Sequence, residues 1–90
     1  MNVTRLPIRH EQLITTMHRY HRQHGRWPST RELLRPERGW RSESSIHWLR
    51  QEGIDRGWLL GSQAARTHRP AYARLVLATV DGLMKVYERS

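Results

Sequence analysis

The sequence predicts a small domain that is mainly α-helical, with three helices followed by a small antiparallel β wing. Three observations support this fold class. Apolar residues recur at helical spacing near the N-terminus, and two later segments open with serines suited to capping a helix. Beyond Gly57 the pattern changes to short apolar runs around a basic loop. Ninety residues predict a single domain, 1–90, with one modest core.

The first helix is predicted over residues 9–24. Its apolar stripe follows the spacing i, i+4, i+7 and i+11, which is typical of one helix face. The members of this stripe are Leu13, Met17, Tyr20 and His24. Gly25 follows as a stop signal, and cationic side chains crowd the last turn, where the helix dipole favours them.

The second helix is predicted over residues 29–36. Ser29 and Glu32 have the spacing of a capping box, in which each side chain bonds the other residue's backbone N–H. Pro36 cannot continue a helix and is expected to end or kink this one.

The third helix is predicted from Ser42 to about Gly53, after a turn that Gly39 opens and Trp40 plugs. Ser42 can cap it, and Glu43 in its first turn suits the dipole. Its expected core stripe consists of Ile46, Leu49 and Gly53. A helix, a short helix, a tight turn and a helix together form the helix-turn-helix arrangement.

The predicted wing consists of a strand over 58–60, a basic loop over 61–70 and a returning strand over 71–78. The wing could have two or three strands. Residues 79–90 leave two interpretations open. Asp81 and Gly82 form a type I′ hairpin signal, but the apolar residues after them also fit one face of a helix. A short C-terminal helix is favoured here.

The charge is the first functional clue. Sixteen basic residues, of which only Lys85 is not arginine, face eight acidic ones, which gives a net charge of +8. A strongly basic domain is typical of nucleic-acid binders, and arginine suits bidentate contacts to phosphate and guanine. The alternative is that the arginines reflect a GC-rich genome and the charge only keeps the protein soluble.

Several functional classes find little support in the composition. The absence of cysteine excludes disulfides and thiolate metal sites. No apolar run is long enough to span a bilayer, and the first residues are not of signal-peptide type, so a cytoplasmic protein without membrane contact is expected. No nucleophile or phosphate-loop motif indicates an enzyme, and no cofactor is expected. His18, His21 and His24 recur every three residues, so they do not stay on one face of the first helix, and no metal site is predicted.

Several segments together resemble the N-terminal DNA-binding domain of LexA-type repressors. Residues 25–33 follow that family's "hG.xPTxREI" pattern, with Pro28, Ser29 and Glu32 at matching places. Residues 42–47 resemble the opening of its recognition helix, and residues 57–59 resemble the entry to its wing. The resemblance covers about residues 6–77 and implies a winged helix-turn-helix fold that binds operator DNA.

The chain also departs from this family. One residue is inserted around Pro36, and Gly53 stands where the family has a buried leucine. These 90 residues do not include that family's self-cleaving protease domain, so neither autolysis nor the dimer contacts of that domain are expected from them.

The third helix is expected to enter the major groove of double-stranded DNA. Its candidate base contacts are Ser44, Ser45, His47, Trp48 and Gln51. Gln51 can bond adenine at two points. A large apolar ring such as Trp48 is unusual on a groove face, so the alternative is that Trp48 belongs to the core.

Phosphate contacts are expected from the start of the second helix, the turn and the wing. The candidates are Ser29, Thr30, Arg31, Arg41, Arg66 and Arg69. The wing loop contains no acid, which favours a functional role for its arginines.

Two functional hypotheses follow. The first is a sequence-specific transcription regulator, a repressor, that binds a palindrome as a homodimer. The residues left over for the dimer contact lie in the tail: Leu83, Met84, Val86 and Tyr87. The second is a protein-interaction module of a mobile element that does not depend on DNA. Four tryptophans in so short a chain favour this alternative, since tryptophan is enriched at protein interfaces.

Overall fold

The structure is a computed structural model that describes residues 3–34, 40, 42–61 and 67–89. Within these ranges the chain forms three helices and five strands. In chain order they are β1 (Val3–Arg5), α1 (Ile8–His24), α2 (Thr30–Leu33), α3 (Glu43–Asp55), β2 (Leu59–Gly61), β3 (His68–Pro70), β4 (Leu75–Val80) and β5 (Leu83–Arg89).

The expectation of a mainly α winged helix-turn-helix domain is wrong, because this is an α+β fold. All of the described strands pair in antiparallel fashion, in two sheets. The larger sheet has the order β1-β5-β4, so the first and last strands of the chain are neighbours. The smaller sheet is the hairpin β2–β3, which follows α3.

The expected C-terminal helix is wrong, because Leu83–Arg89 form the strand β5. Asp81 and Gly82 both have positive φ, 51° and 79°, as a type I′ turn requires. The turn sets a six-residue register between β4 and β5, from Val80 opposite Leu83 to Leu75 opposite Glu88. The apolar residues that fit a helix face are therefore distributed over the two faces of a strand.

The expected returning strand over 71–78 is also wrong. The partner of β2 is β3, where Gly61 pairs with His68 and Leu59 with Pro70, and these β3 residues fall within the expected loop. A turn at residues 72–74 then leads into β4, which belongs to the other sheet. The second half of the predicted wing is thus split between two sheets.

The predicted caps of the three helices are confirmed. α1 is capped by Gly25 in the left-handed conformation, and Ser42 accepts the N-terminal bond of α3 from the Ser45 amide at 3.3 Å. The capping box of α2 is formed as expected, with Ser29 N–H donating to Glu32 Oε1 at 3.0 Å and Glu32 N–H donating to Ser29 Oγ at 3.3 Å. Pro36, expected to end or kink α2, and Gly39, expected to open the turn, lie outside the described residues.

One core unites the three helices and both sheets. Its fully buried side chains include Leu13 and Met17 of α1, Ile46 of α3, and Trp40 between the helices. Val86 of β5 belongs to the same core with no exposed surface, so it is not available for a contact between two chains. Of the other residues expected in a dimer contact, Leu83 is exposed, while Met84 and Tyr87 are half-buried.

Candidate nucleic-acid interface

Helix α3 presents one face to solvent along its whole length of about 20 Å. Its buried side carries Ile46, Leu49, Arg50 and Gly53. The five residues predicted to contact bases are all exposed: Ser44, Ser45, His47, Trp48 and Gln51. The alternative that Trp48 belongs to the core is wrong, because 63% of its surface is accessible.

The polar groups on this face are held by short local bonds. The Ser44 hydroxyl lies 2.9 Å from that of Ser42, and the Gln51 amide donates to Asp55 Oδ1 at 3.1 Å. These contacts are exposed and can be exchanged for contacts with a ligand at little cost. This side of α3 also carries two carboxylates, the exposed Glu43 in the first turn and Asp55 at the C-terminal end.

A buried arginine anchors α3 to the start of α2. Arg50 is 2% exposed and donates to the Pro28 carbonyl at 2.7 Å and to Thr30 Oγ1 at 2.5 Å. Burial lowers the pKa of Arg50 to about 10, so the side chain stays protonated at neutral pH. The orientation of the exposed α3 face is therefore set by hydrogen bonds from a permanent positive charge.

The hairpin β2–β3 lies beside this contact between α3 and the start of α2, which we call the α3 joint. Thr67, directly before β3, forms an isolated β-bridge with Ser29 at the start of α2. In the hairpin, His68 is half-buried and Arg69 is exposed. The hairpin is thus attached to the same element that Arg50 clamps, which fixes it relative to α3.

The region between α3 and the hairpin is electropositive. Burial lowers the pKa of His68, and the nearby charges of Arg50 and His47 lower it further. The lowered pKa keeps His68 uncharged at neutral pH, so the positive charge of this region comes from Arg50 and from the exposed Arg69 of the hairpin.

Not all of the expected phosphate contacts are available. Ser29 is engaged in the capping box, and the Thr30 hydroxyl accepts the bond from Arg50. Arg31 and Arg69 are exposed as expected. Arg41 and Arg66 lie outside the described residues.

Arg9 of α1 was not among the sequence predictions, and it joins the exposed α3 face. It lines a surface groove of about 360 Å³ together with Ser44, Ser45, Trp48 and Leu49. Its guanidinium lies over the ring of Trp40, 4.3 Å from the centroid, and donates to Gln12 at 3.1 Å. Because α1 meets the start of α3 only through tertiary packing, no local pattern could have identified Arg9.

Several of the carboxylates are already paired inside the molecule. Glu32 accepts two bonds from Arg26, at 2.5 and 2.8 Å, and one from the Tyr20 hydroxyl. Arg26 and then Tyr20 hold the pKa of Glu32 far below its usual range. Glu52 pairs with Arg56 at 3.3 Å, while Glu11 binds Arg5. These acids therefore do not compensate the cations near α3.

The three histidines of α1 have separate partners. His18 contacts the Tyr72 hydroxyl at 3.2 Å, while the rings of His21 and His24 stack on Trp27 and Tyr20. Nowhere in the described ranges do three or more potential metal ligands converge. None of the described helices combines the length and apolar character that crossing a membrane requires.

Fold and site together define a small α+β domain with an exposed, cation-flanked helix. No protein-family model matches the chain, and neither a curated protein nor a solved structure matches it. The function must therefore be argued from the residues themselves.

Proposed function

We propose that the protein is a sequence-specific double-stranded DNA-binding regulator of transcription, in which α3 enters the major groove. The observation that carries this proposal is the outer face of α3, where four polar side chains are exposed beside the ring of Trp48, on a chain of net charge +8. A helix of this length fits the major groove, and its side chains can reach base edges.

The surroundings of α3 support phosphate contacts. Arg69 on the hairpin and Arg31 on α2 are exposed cations on two sides of the joint that Arg50 clamps. Arg9 supplies a third cation at the start of α3. Groups of this kind position a protein on the DNA backbone, whereas Gln51 and His47 would read the bases.

The primary experiment measures binding of the full chain to a random-sequence duplex by fluorescence anisotropy, at low and at physiological salt. We expect affinity to fall steeply with salt because phosphate contacts release counterions. Arg69→Ala should lower the slope of log affinity against log salt by about one unit. Absence of binding at low salt would overturn the proposal.

Specificity needs a second measurement. Sequences selected from a random DNA pool should contain a short preferred motif. Gln51→Ala should cost about 1–3 kcal/mol on the selected duplex and little on random DNA. Gln23→Ala, an exposed glutamine on α1, is the matched control and should change neither affinity. Equal losses on both duplexes would argue against base reading by Gln51.

A second candidate function is a protein-interaction module, and the exposed Trp48 favours it. An exposed tryptophan beside a groove is the kind of anchor on which protein interfaces depend. Under this alternative, Trp48→Ala abolishes binding to the protein partner, and wild-type protein does not bind DNA even at low salt. Under the DNA proposal, Trp48→Ala weakens binding to the selected duplex.

A further inference from the structure

The three-stranded sheet has an edge at β4 that no charge or proline protects. Among the described residues β4 pairs only with β5. Its six residues, Leu75–Val80, contain neither a charged side chain nor a proline. Edge strands of this kind present unpaired backbone groups to any additional strand, and natural proteins usually guard against this with charges, prolines or bulges.

The register shows which backbone groups face outward. In a two-residue hairpin the flanking residues, here Val80 and Leu83, exchange both hydrogen bonds, and this pattern repeats at every second pair. The bond from Arg89 N–H to the Arg74 carbonyl, 2.9 Å, continues the same alternation. The backbone groups of Leu75, Leu77 and Thr79 therefore point away from β5.

We propose that β4 pairs in antiparallel fashion with β4 of a second copy, about a two-fold axis at Leu77. In this register Leu77 lies opposite Leu77 of the second copy, and Leu75 lies opposite Thr79. Each of these pairs uses only the outward-facing groups and exchanges two backbone hydrogen bonds. The result is a continuous six-stranded sheet. The inference concerns the free protein and does not depend on DNA binding.

The charges favour a second copy over an unrelated strand. Residues 75–84 contain no lysine or arginine, so two chains of charge +8 repel each other least along this segment. The proposed register also places Arg74 of one copy opposite Val80 of the other, one residue before Asp81 in the turn, once at each end of the paired strands. The side chains of Arg74 and Asp81 are both exposed. The edge is thus self-complementary, as a two-fold interface must be.

The outer face of the sheet adds apolar contacts. Val80 and Leu83 form the last cross-strand pair and are 43% and 61% exposed. In the dimer, Val76 of each copy lies opposite Ala78 of the other on this face. A strand of six residues spans only about 20 Å, which is small for a permanent interface, so we expect a dissociation constant in about the micromolar range.

Cysteine cross-linking tests the register directly, because the natural chain has no cysteine. Directly opposite Cα atoms in such a pair are about 5.5 Å apart, within disulfide reach. Leu77→Cys should therefore form a disulfide dimer under mild oxidation. Thr79→Cys is the control, since two copies of this position lie about 13 Å apart along the strands. Equal cross-linking of both variants, or none of Leu77→Cys when circular dichroism shows it folded, would overturn the proposal.

Sedimentation equilibrium without DNA tests the same interface by charge. Val80 lies opposite Arg74 of the second copy, so Val80→Glu should tighten the dimer and Val80→Lys should weaken it, each by roughly tenfold. Added salt should tighten the wild-type dimer by screening the net charge, the reverse of its effect on DNA binding. A wild-type chain that stays monomeric at about millimolar concentration, or two variants that shift alike, would overturn the inference while leaving the DNA proposal intact.

Discussion

The two long helices each bury a charged side chain, but they compensate it differently. On α1, Glu11 is 4% exposed and accepts two bonds from Arg5, at 2.9 and 3.1 Å. Its Oε2 also accepts the Val86 N–H at 3.1 Å, which ties α1 to β5. The negative charge is therefore matched by a positive one, and hydrogen bonding to Arg5 lowers the pKa of Glu11.

On α3, Arg50 has only neutral partners among the described residues. Its donors reach the Pro28 carbonyl and the Thr30 hydroxyl, and no described carboxylate forms an ion pair with it. Burying an ion without a counter-charge costs free energy, which hydrogen bonds offset only in part.

The two helix contacts, that of α1 with the sheet (the α1 joint) and that of α3 with α2 (the α3 joint), should therefore respond differently to pH. The contact of α1 with the sheet depends on groups that titrate at acid pH, whereas the contact of α3 with α2 depends on a group that stays charged. An uncompensated cation beneath the exposed α3 face also strengthens the positive potential there. The α3 joint is thus less stable than it would be with a counter-charge, at a place where positive charge supports the proposed binding of DNA.

The largest expected effect tests the neutral partners of Arg50. Arg50→Ala should destabilise the fold by about 3 kcal/mol, because it creates a cavity and leaves two buried oxygens without donors. Arg50→Met leaves the same two oxygens without donors, but it keeps most of the volume and removes the buried charge, so it should cost less, about 1–2 kcal/mol. Urea unfolding followed by circular dichroism measures both. Equal losses for the two variants would show that the hydrogen bonds, and not the packing, carry the joint.

The next effect tests the ion pair of α1. Glu11→Gln should cost about 2 kcal/mol at neutral pH, because the bonds to Arg5 and Val86 lose their charge. Since the folded pKa of Glu11 lies below its ordinary value of 4.5, the wild type loses this stability as pH falls below 4.5 through the folded pKa. The variant should lose less over the same range.

Unfolding free energies of both proteins between about pH 3 and 7 measure this difference. The pKa of Glu32 is also lowered, by its bonds to Arg26 and Tyr20, and Glu32 remains in the variant, so some acid sensitivity should persist. Parallel curves for wild type and Glu11→Gln would contradict the assignment of Glu11 as an acid-sensitive contact.

Local patterns in the sequence predicted what local interactions determine. On α1, Leu13, Met17 and Tyr20 of the expected stripe are buried, but His24 is exposed. The Ser29–Glu32 capping box and the Ser42 cap, whose residues lie within one turn of each other, are present. The exposure of the α3 face follows from the same helical period, so the five candidate base contacts could be identified from the sequence.

The sheet could not be predicted in this way. β1 pairs with β5 across almost the whole chain, as in Val3 opposite Arg89, and no short-range signal announces that partner. Asp81 and Gly82 carry a hairpin signal, but the apolar spacing after them also suits a helix, and the helix favoured on that spacing is wrong. Tertiary pairing decides between two such local solutions. Arg9 reaches the site through the same kind of long-range packing.

A smaller effect separates the two bonds of Arg50. Thr30→Val has nearly the same shape and removes one acceptor, while the Pro28 carbonyl remains. We expect a loss of about 1–2 kcal/mol, typical of a hydrogen bond to a charged group. Thr16→Val on α1 is the control, because the hydroxyl of Thr16 is bonded only to its own helix, at the Gln12 carbonyl. A loss no larger than that of the control would show that Thr30 does not help to hold Arg50.

The smallest effect at neutral pH concerns His10, the second titratable group that α1 buries. It is 4% exposed, with its ring edge-on to Trp58 at 5.0 Å, and burial lowers its pKa. As pH falls below 6.5, the unfolded chain takes up a proton that the folded chain resists, so stability is lost in that range.

His10→Phe should change stability by less than about 1 kcal/mol at pH 7.5 and should flatten the curve of unfolding free energy against pH between about pH 6.5 and 5. His24→Phe, at an exposed position of the same helix, is the control. If His10→Phe kept the wild-type slope between about pH 6.5 and 5, His10 would not contribute to the acid sensitivity of the fold.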